Sequence, residues 1–184
     1  MVWTFHLNRD VRFHDGTHLD ARDVKFTYDK IAQTKRAGIS HFLKYVKEIR
    51  IIDPHTLEIT LSKPDNHLWE GLGRIFIAPR HLFENKDDFT DYNQHPIGTG
   101  PYHFVKQDED EIILEANERY FGGRPYLDRI VVKNLPSQEA NLSSLIAGKI
   151  DLVFLINPED YGALSGIPDI RIYNNWYPIL HLLT

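Results

Sequence analysis

The sequence contains no cysteine among its 184 residues. This absence excludes disulfide bonds, thiolate metal sites and a cysteine nucleophile. No apolar run approaches the roughly 20 residues that a transmembrane helix requires. The residues that follow Met1 alternate in the manner of a strand and do not form a signal peptide. We therefore expect the sequence as given to be soluble.

Motifs of catalysis and of phosphate binding are also missing. No serine lies in a nucleophile elbow, and no spacing of Ser, His and an acid indicates a triad. The carboxylates are scattered, so no acid–base pair can be named. Residues 98–101 (GTGP) are rich in glycine but lack the lysine and the helix of a phosphate-binding loop. We therefore expect no enzyme, no resident metal and no cofactor.

The charge balance is mildly acidic and mixed in sign. Lys and Arg number 21 against 26 Asp and Glu, which gives a formal net charge of -5. This balance argues against a nucleic-acid surface. The hydrophobic share of 42% is enough for a packed core. Aromatic residues make up 12%, and there are ten histidines, both of which suit ligand sites but also occur in ordinary cores.

Apolar periodicity predicts a mixed α/β (α+β) fold, in which hairpins accompany strand–helix–strand units. A helix is predicted from Asp20 to about Thr34, with Asp20 as the N-cap and Asp23 completing part of a capping box. Another helix is expected to begin after Ser137 and to end at Gly148. The predicted strands are residues 2–7, 11–13, 46–52, 57–61, 74–78, 102–106, 111–116, 130–135, 150–155, 170–173 and 179–183.

Three blocks of the sequence occur in a characteristic order. The first comprises residues 3–7 (WTFHL), 11–16 (VRFHDG) and 19–24 (LDARDV). The second is residues 96–102 (PIGTGPY), and the third comprises 117–125 (NERYFGGRP) and 147–152 (AGKIDL). Together they make the chain resemble the peptide- and nickel-binding extracytoplasmic solute-binding proteins of ABC importers, a likeness that covers nearly the whole sequence.

The resemblance implies a periplasmic-binding-protein-like fold of class II, in which two large lobes close on a ligand. Residues 1–92 would then form a small accessory domain, and residues 93–184 part of the first lobe, leading to the hinge. The second lobe, the N-terminal segment and a lipoprotein-type export signal would lie outside this sequence. A lobe cut in this way is expected to expose apolar surface and to self-associate.

The resemblance also implies a function. The protein would capture di- or oligopeptides, or a nickel chelate, outside the cytoplasmic membrane and deliver them to a permease. Its location would be periplasmic or extracellular, with membrane attachment through the absent signal. A sensor or chaperone-like module on the same fold, without a transport role, is the alternative. An enzyme built on this scaffold is a third possibility.

Five residues are the main candidates for ligand contact, and two further aromatic residues are considered with them. In nickel-type relatives, an arginine near Arg74 serves the anionic chelator, and guanidinium geometry suits a carboxylate. Thr99 and Gly100 could present a hydroxyl and backbone N–H groups, although a purely structural corner is the favoured interpretation. Tyr102 and Trp176 are candidate cleft aromatics, as are Trp69 and Tyr120, but most such residues simply belong to cores.

Histidine offers a further possibility at the start of the chain. His6, His14 and His18 are close in sequence, but metal binding needs at least three converging ligands, and no spacing fixes that geometry. For His14, the favoured interpretation is a partly buried histidine tied to the turn at Asp15-Gly16.

Overall fold

The computed structural model describes residues 1–34, 40–65, 68–86, 94–154 and 156–173. The chain divides into two compact units, Met1–Lys133 and Asn134–Thr184. Each unit contains helices, and the first also contains two separate three-stranded antiparallel sheets. This mixture confirms the predicted α/β class. Trp176 and the predicted strand at 179–183 lie outside the described residues.

The first sheet has the strand order β1–β3–β2, formed by β1 (Val2–His6), β2 (Val46–Asp53) and β3 (Thr56–Leu61). Both pairings are antiparallel, and Ile59 of β3 lies opposite Trp3 on one side and Ile49 on the other. Leu57, Ile59 and Leu61 are buried, whereas the residues between them are partly exposed. This period of two confirms the predicted strands and directs one face of β3 into the core.

Helix α1 (Ala21–Thr34) covers this sheet and begins with the predicted capping box. The Asp20 carboxylate accepts a hydrogen bond from the Arg22 N–H at 2.7 Å, and Asp23 accepts one from the Asp20 N–H at 2.9 Å. These two bonds satisfy N–H groups that a helix start otherwise leaves unpaired. Val24 and Tyr28 are buried in the core, as their shared helix face predicts.

Asp23 and Thr27 also attach α1 to residues 78–80. Asp23 is 6% exposed and accepts a second hydrogen bond, from the Arg80 N–H at 2.9 Å. The Thr27 hydroxyl donates to the Asp23 carbonyl and accepts from the Ala78 N–H at 3.0 Å. Two side chains of the helix therefore hold the backbone that follows Ile77.

The predicted strand at 74–78 is wrong for this reason. These residues are not paired with a described strand, although Ile75 is buried and Phe76 is 92% exposed, as in an extended chain. The Ala78 N–H bonds to the Thr27 hydroxyl, which takes the place of a neighbouring strand. Burial alternation alone does not distinguish such a segment from a true strand.

Short helices complete this part of the unit. They are a 3₁₀ helix (Ser40–Leu43), α2 (Leu68–Gly73) and α3 (Arg80–Phe83), the last with Pro79 at its N-cap. The predicted strand at 11–13 is reduced to a single bridge between Arg12 and His18. In the described part of the chain, no helix has the length and apolarity that crossing a membrane requires.

The second sheet of the first unit has the order β4–β5–β6, with β4 (Tyr102–Gln107), β5 (Glu111–Ala116) and β6 (Arg129–Lys133). Its first hairpin turns at Asp108, whose carboxylate accepts hydrogen bonds from the N–H groups of Asp110 and Glu111. The hairpin and the third strand confirm the predicted elements at 102–106, 111–116 and 130–135.

The second unit contains α4 (Gln138–Ile146), a 3₁₀ helix (Pro158–Asp160) and α5 (Tyr161–Ser165). Ser137 caps α4 by accepting from the Ala140 N–H at 3.2 Å, and Gly148 has a φ of 66°, as a helix-ending glycine commonly does. The predicted strands at 150–155 and 170–173 are wrong over their described residues. Neither segment is hydrogen-bonded to a described strand, and a strand requires such a partner.

We expect Asp23→Ala to lower the free energy of unfolding by about 2–4 kcal/mol, because the N–H groups of Asp20 and Arg80 lose their acceptor. Urea unfolding followed by circular dichroism measures this change. Asp29→Ala is the matched control on the same helix, since Asp29 is half-buried and, among the described residues, forms an ion pair only with Lys25; its cost should stay below about 0.5 kcal/mol. Equal costs for the two variants would contradict the assigned role of Asp23.

Candidate functional site

The first two sequence blocks meet at the segment between Pro96 and Tyr102. The His14 N–H donates to the Gly98 carbonyl at 2.8 Å. The His14 ring then accepts from the Gly98 N–H through Nδ1 at 3.2 Å and donates through Nε2 to the Gly100 carbonyl at 3.0 Å. Three hydrogen bonds therefore join the first block to the second.

The third block reaches the same backbone segment from the other side. The Asn117 side chain donates through Nδ2 to the Gly100 carbonyl at 3.1 Å, and its N–H donates to the Pro101 carbonyl at 2.8 Å. The Gly100 carbonyl thus accepts from two side chains that lie 86 and 17 residues away. The segment Pro96–Tyr102 is a fixed structural corner, which agrees with the favoured sequence interpretation.

The two ring contacts define the protonation state of His14. Nδ1 accepts a hydrogen bond, so the proton of the neutral ring lies on Nε2, which donates to Gly100. Burial is the main cause that lowers the pKa of His14, and the nearby His103 lowers it further; the bond to Gly100 and the charge of Asp15 act in the opposite direction. The ring is therefore held neutral, because protonating Nδ1 would break the bond to Gly98.

Asp15 stabilises the turn next to His14. Its carboxylate accepts from the Thr17 N–H at 2.9 Å and contacts His81 Nε2 at 2.7 Å, while Gly16 takes the positive φ of 89° that the turn requires. Burial opposes ionisation of Asp15, but the hydrogen bonds from Thr17 and His81 outweigh it and lower the pKa. His14 is thus tied to the Gly98–Gly100 backbone, while Asp15 holds the turn itself.

Two of the cavities formed by described residues lie within the first unit. One, of about 310 Å³, is largely apolar and has Thr99 in its lining. The other, of about 300 Å³, has a lining of mixed polarity that includes Arg12, His14, His103 and Arg119. Its two guanidinium groups can interact with a polar or anionic group. Among the described residues, no group of three His, Cys, Asp or Glu side chains is placed to hold a metal ion.

The predicted contact residues fall in different settings. Arg74 is exposed, pairs with Glu70 at 2.6 Å and makes no hydrogen bond or ion pair to Thr99, Gly100 or Tyr102 in the described structure. Tyr102 begins β4 opposite Ala116 and is half-buried. Trp176 lies outside the described residues.

The other candidate aromatics pack near their own elements. Trp69 lies edge-on to Trp3, with ring centroids 5.1 Å apart, and remains 53% exposed. Tyr120 packs against Phe121 at 4.6 Å. Sequence reasoning missed the position of Asn117 at the corner, although this residue opens the third block and its place there was the available signal.

A family of known proteins matches the whole length of the chain. Residues 1–184 match the family described as "Bacterial extracellular solute-binding proteins, family 5 Middle". The oligopeptide-binding protein AppA of Bacillus subtilis is 31% identical over 182 residues, covering 94% of this chain and 33% of AppA. The HTH-type transcriptional regulator SgrR of Yersinia enterocolitica is 31% identical over 142 residues, covering 76% of this chain and 24% of SgrR.

A solved structure shows the same fold. The crystal structure of NikZ from Campylobacter jejuni in complex with Ni(L-His) matches with a TM-score of 0.76 and 32% identity. The match covers 82% of this chain and 31% of NikZ. The chain therefore spans about a third or less of the length of the relatives it matches.

We expect the chain to lose stability as the pH falls below about 6.5, the ordinary pKa of histidine, because the unfolded state protonates His14 more readily than the folded state does. Urea unfolding from about pH 7.5 to about pH 5 measures the slope. His14→Gln should flatten the slope and cost about 1–2 kcal/mol at the upper pH, since the Gly98 and Gly100 contacts are disturbed.

The matched control for this measurement is His18→Gln, because His18 is exposed at the edge of the same loop. This variant should keep the wild-type slope. An unchanged slope in His14→Gln would show that another group causes the acid destabilisation. Ionisation of Asp15 is separated from this window, because its lowered pKa places the change below about 3.8.

Proposed function

We infer that this chain takes part in capturing a solute, because it belongs to the bacterial extracellular solute-binding proteins of family 5. The single observation that carries the inference is the match of the family over all 184 residues. The fold predicted from the sequence, periplasmic-binding-protein-like of class II, agrees with the likeness to NikZ. The protein that contains this chain acts as a binding protein and not as an enzyme.

The proposed mechanism is closure of two lobes around a ligand, followed by delivery to a membrane permease of an ABC importer. Residues 1–92 form the accessory domain and residues 93–184 part of the first lobe. We place the boundary near residue 92, after the first sheet, which ends at Leu61, and before the second, which begins at Tyr102. The His14 contacts link the two parts, and both sheets belong to the compact unit of residues 1–133. The location is periplasmic or extracellular, and a signal outside this sequence attaches the protein to the membrane.

The proposed ligand is a peptide or a nickel chelate. The names of two relatives support this choice: AppA is an oligopeptide-binding protein, and NikZ was solved with Ni(L-His). Thr99 supports it from the structure, since its hydroxyl makes no hydrogen bond to a described residue and is available to a ligand. Gly100, Tyr102, Arg74 and Trp176 complete the proposed contacts, with the Arg74 guanidinium suited to a carboxylate.

A regulatory role is the second candidate. SgrR, a transcriptional regulator, is 31% identical to this chain over 142 residues. The same fold could therefore serve a sensor that binds a solute and has no permease partner. Permease genes beside the gene for this chain favour transport, whereas a DNA-binding domain in the same polypeptide favours sensing.

We expect ligand of one class to raise the thermal midpoint of the 184-residue chain, or of a longer gene product that contains it, in a concentration-dependent way. The panels are di- to pentapeptides, nickel with carboxylate chelators, and oligosaccharides. Ligand at about 100 times its Kd stabilises the folded state by about 2.7 kcal/mol. Calorimetry or dye fluorescence measures the shift, and the absence of a shift with every panel would contradict capture of these solutes.

The contact assigned to Thr99 has its own control. Thr99→Val removes one hydroxyl at nearly constant volume and should weaken binding about five-fold, the value of one hydrogen bond. Thr4→Val makes the same change at an exposed position of β1 and should leave the affinity unchanged. Equal affinities for the two variants would remove Thr99 from the proposed site.

Self-association of the 184-residue chain is also proposed. Val105, Val131 and Val132 of the second sheet are 43–50% exposed, which leaves apolar surface on two edge strands. Light scattering should therefore give a mass that rises with concentration. Val132→Lys should reduce this rise because it places a charge on the edge strand, and a constant monomer mass at high concentration would contradict the proposal.

A further inference from the structure

The cavity of about 310 Å³ is lined mainly by apolar side chains. Fourteen residues line it, and eleven of these have purely apolar side chains. Seven of the fourteen are core residues that are at most 9% exposed, among them Val11, Leu19 and Leu57. Asn8 and Phe121 are the exposed members of the lining, and Thr99 is half-buried. The cavity therefore has an apolar interior with polar groups near its more exposed side.

Two lining residues, Thr99 and Tyr28, carry hydroxyl groups without a hydrogen bond to a described residue, and of these two only Tyr28 belongs to the buried core. Tyr28 is 6% exposed, lines the cavity and makes no hydrogen bond to any described residue. Burial raises the pKa of its hydroxyl to about 12, so the group stays neutral and can both donate and accept. Since this hydroxyl has no hydrogen-bond partner among the described residues, a polar group bound in the cavity can pair with it.

We propose that this cavity binds a small neutral aromatic molecule with one hydrogen-bonding group, of the phenol class, and that Tyr28 provides the hydrogen bond. This site shares Thr99 with the proposed solute contacts, but the proposal rests on Tyr28 and the apolar walls and does not require solute capture. The aromatic rings of Phe5, Tyr28 and Phe121 line the cavity and offer ring contacts. A charged ligand is disfavoured because no charged side chain lines the cavity to compensate its desolvation.

The size of the cavity supports the same class of ligand. An apolar cavity of about 150 Å³ in another protein is large enough to hold benzene. The present cavity has about twice that volume, which accommodates one substituted ring but not an extended oligomer. The neutral hydroxyl of Tyr28 matches one polar substituent, and the apolar walls match the ring.

The test compares phenol with toluene, which has almost the same shape but no hydrogen-bonding group. Titrations of the 184-residue chain, followed by two-dimensional NMR of backbone amides, give both dissociation constants. Phenol should bind about five-fold more tightly than toluene, the effect of one hydrogen bond. Tyr28→Phe should abolish this preference while toluene binding persists, and Tyr126→Phe, at a fully exposed tyrosine, should preserve it.

A second variant tests whether the ligands bind in this cavity. Leu7→Trp fills the cavity from its half-buried side and should abolish binding of both ligands, whereas Leu127→Trp, at an exposed position outside the lining, should not. Absence of phenol binding, or equal binding in the two tryptophan variants, would overturn the proposal. If Leu7→Trp does not fold, the Tyr28→Phe comparison decides, because an unchanged phenol preference in that variant excludes Tyr28 as the partner.

Discussion

The arrangement of the first unit depends on the contacts that the His14 ring makes with Gly98 and Gly100. An imidazole that accepts on one nitrogen and donates on the other matches the alternation of N–H and C=O along a backbone. The ring thus satisfies two polar groups of a segment that has no strand partner. The Asn117 side chain fills the remaining acceptor capacity at Gly100. Removing the His14 side chain would leave the half-buried Gly98 N–H without this acceptor, whereas the Gly100 carbonyl would keep its bond from Asn117.

Much of the secondary structure could be predicted, because the relevant signals are local. The capping box at Asp20 and Asp23, the Ser137 cap and the turn at Asp108 each involve residues within a few positions of one another. Alternating apolar residues likewise specify β3, whose buried face is continuous. The three sequence blocks indicated the family, and the structure shows that one residue of the first block, His14, and one of the third, Asn117, meet the second block at the corner.

The rest could not be predicted, because it depends on partners that are distant in sequence. Residues 74–78 have the alternation of a strand, but the Thr27 side chain, 51 positions before Ala78, takes the hydrogen bond that a strand would need. Arg74 has the chemistry of a carboxylate ligand, yet Glu70 one turn earlier already pairs with it. Tyr28 lies on the apolar face of α1, and the spacing of that face predicts only that its side chain is buried. It does not predict that the hydroxyl lacks a partner among the described residues. Propensity and spacing do not reveal which polar groups remain unpaired after folding.

The shared acceptor at Gly100 has a consequence for the order in which the chain folds. Its bond to Asn117 closes a loop of 17 residues, whereas its bond to His14 closes one of 86 residues. Loop entropy makes the longer closure more costly by about 1.4 kcal/mol. The corner and its adjoining hairpin are therefore favoured to form as a local nucleus, onto which the amino-terminal sheet docks late. The His14 contacts would then form late in folding. Their large separation in sequence should raise the free-energy barrier to folding.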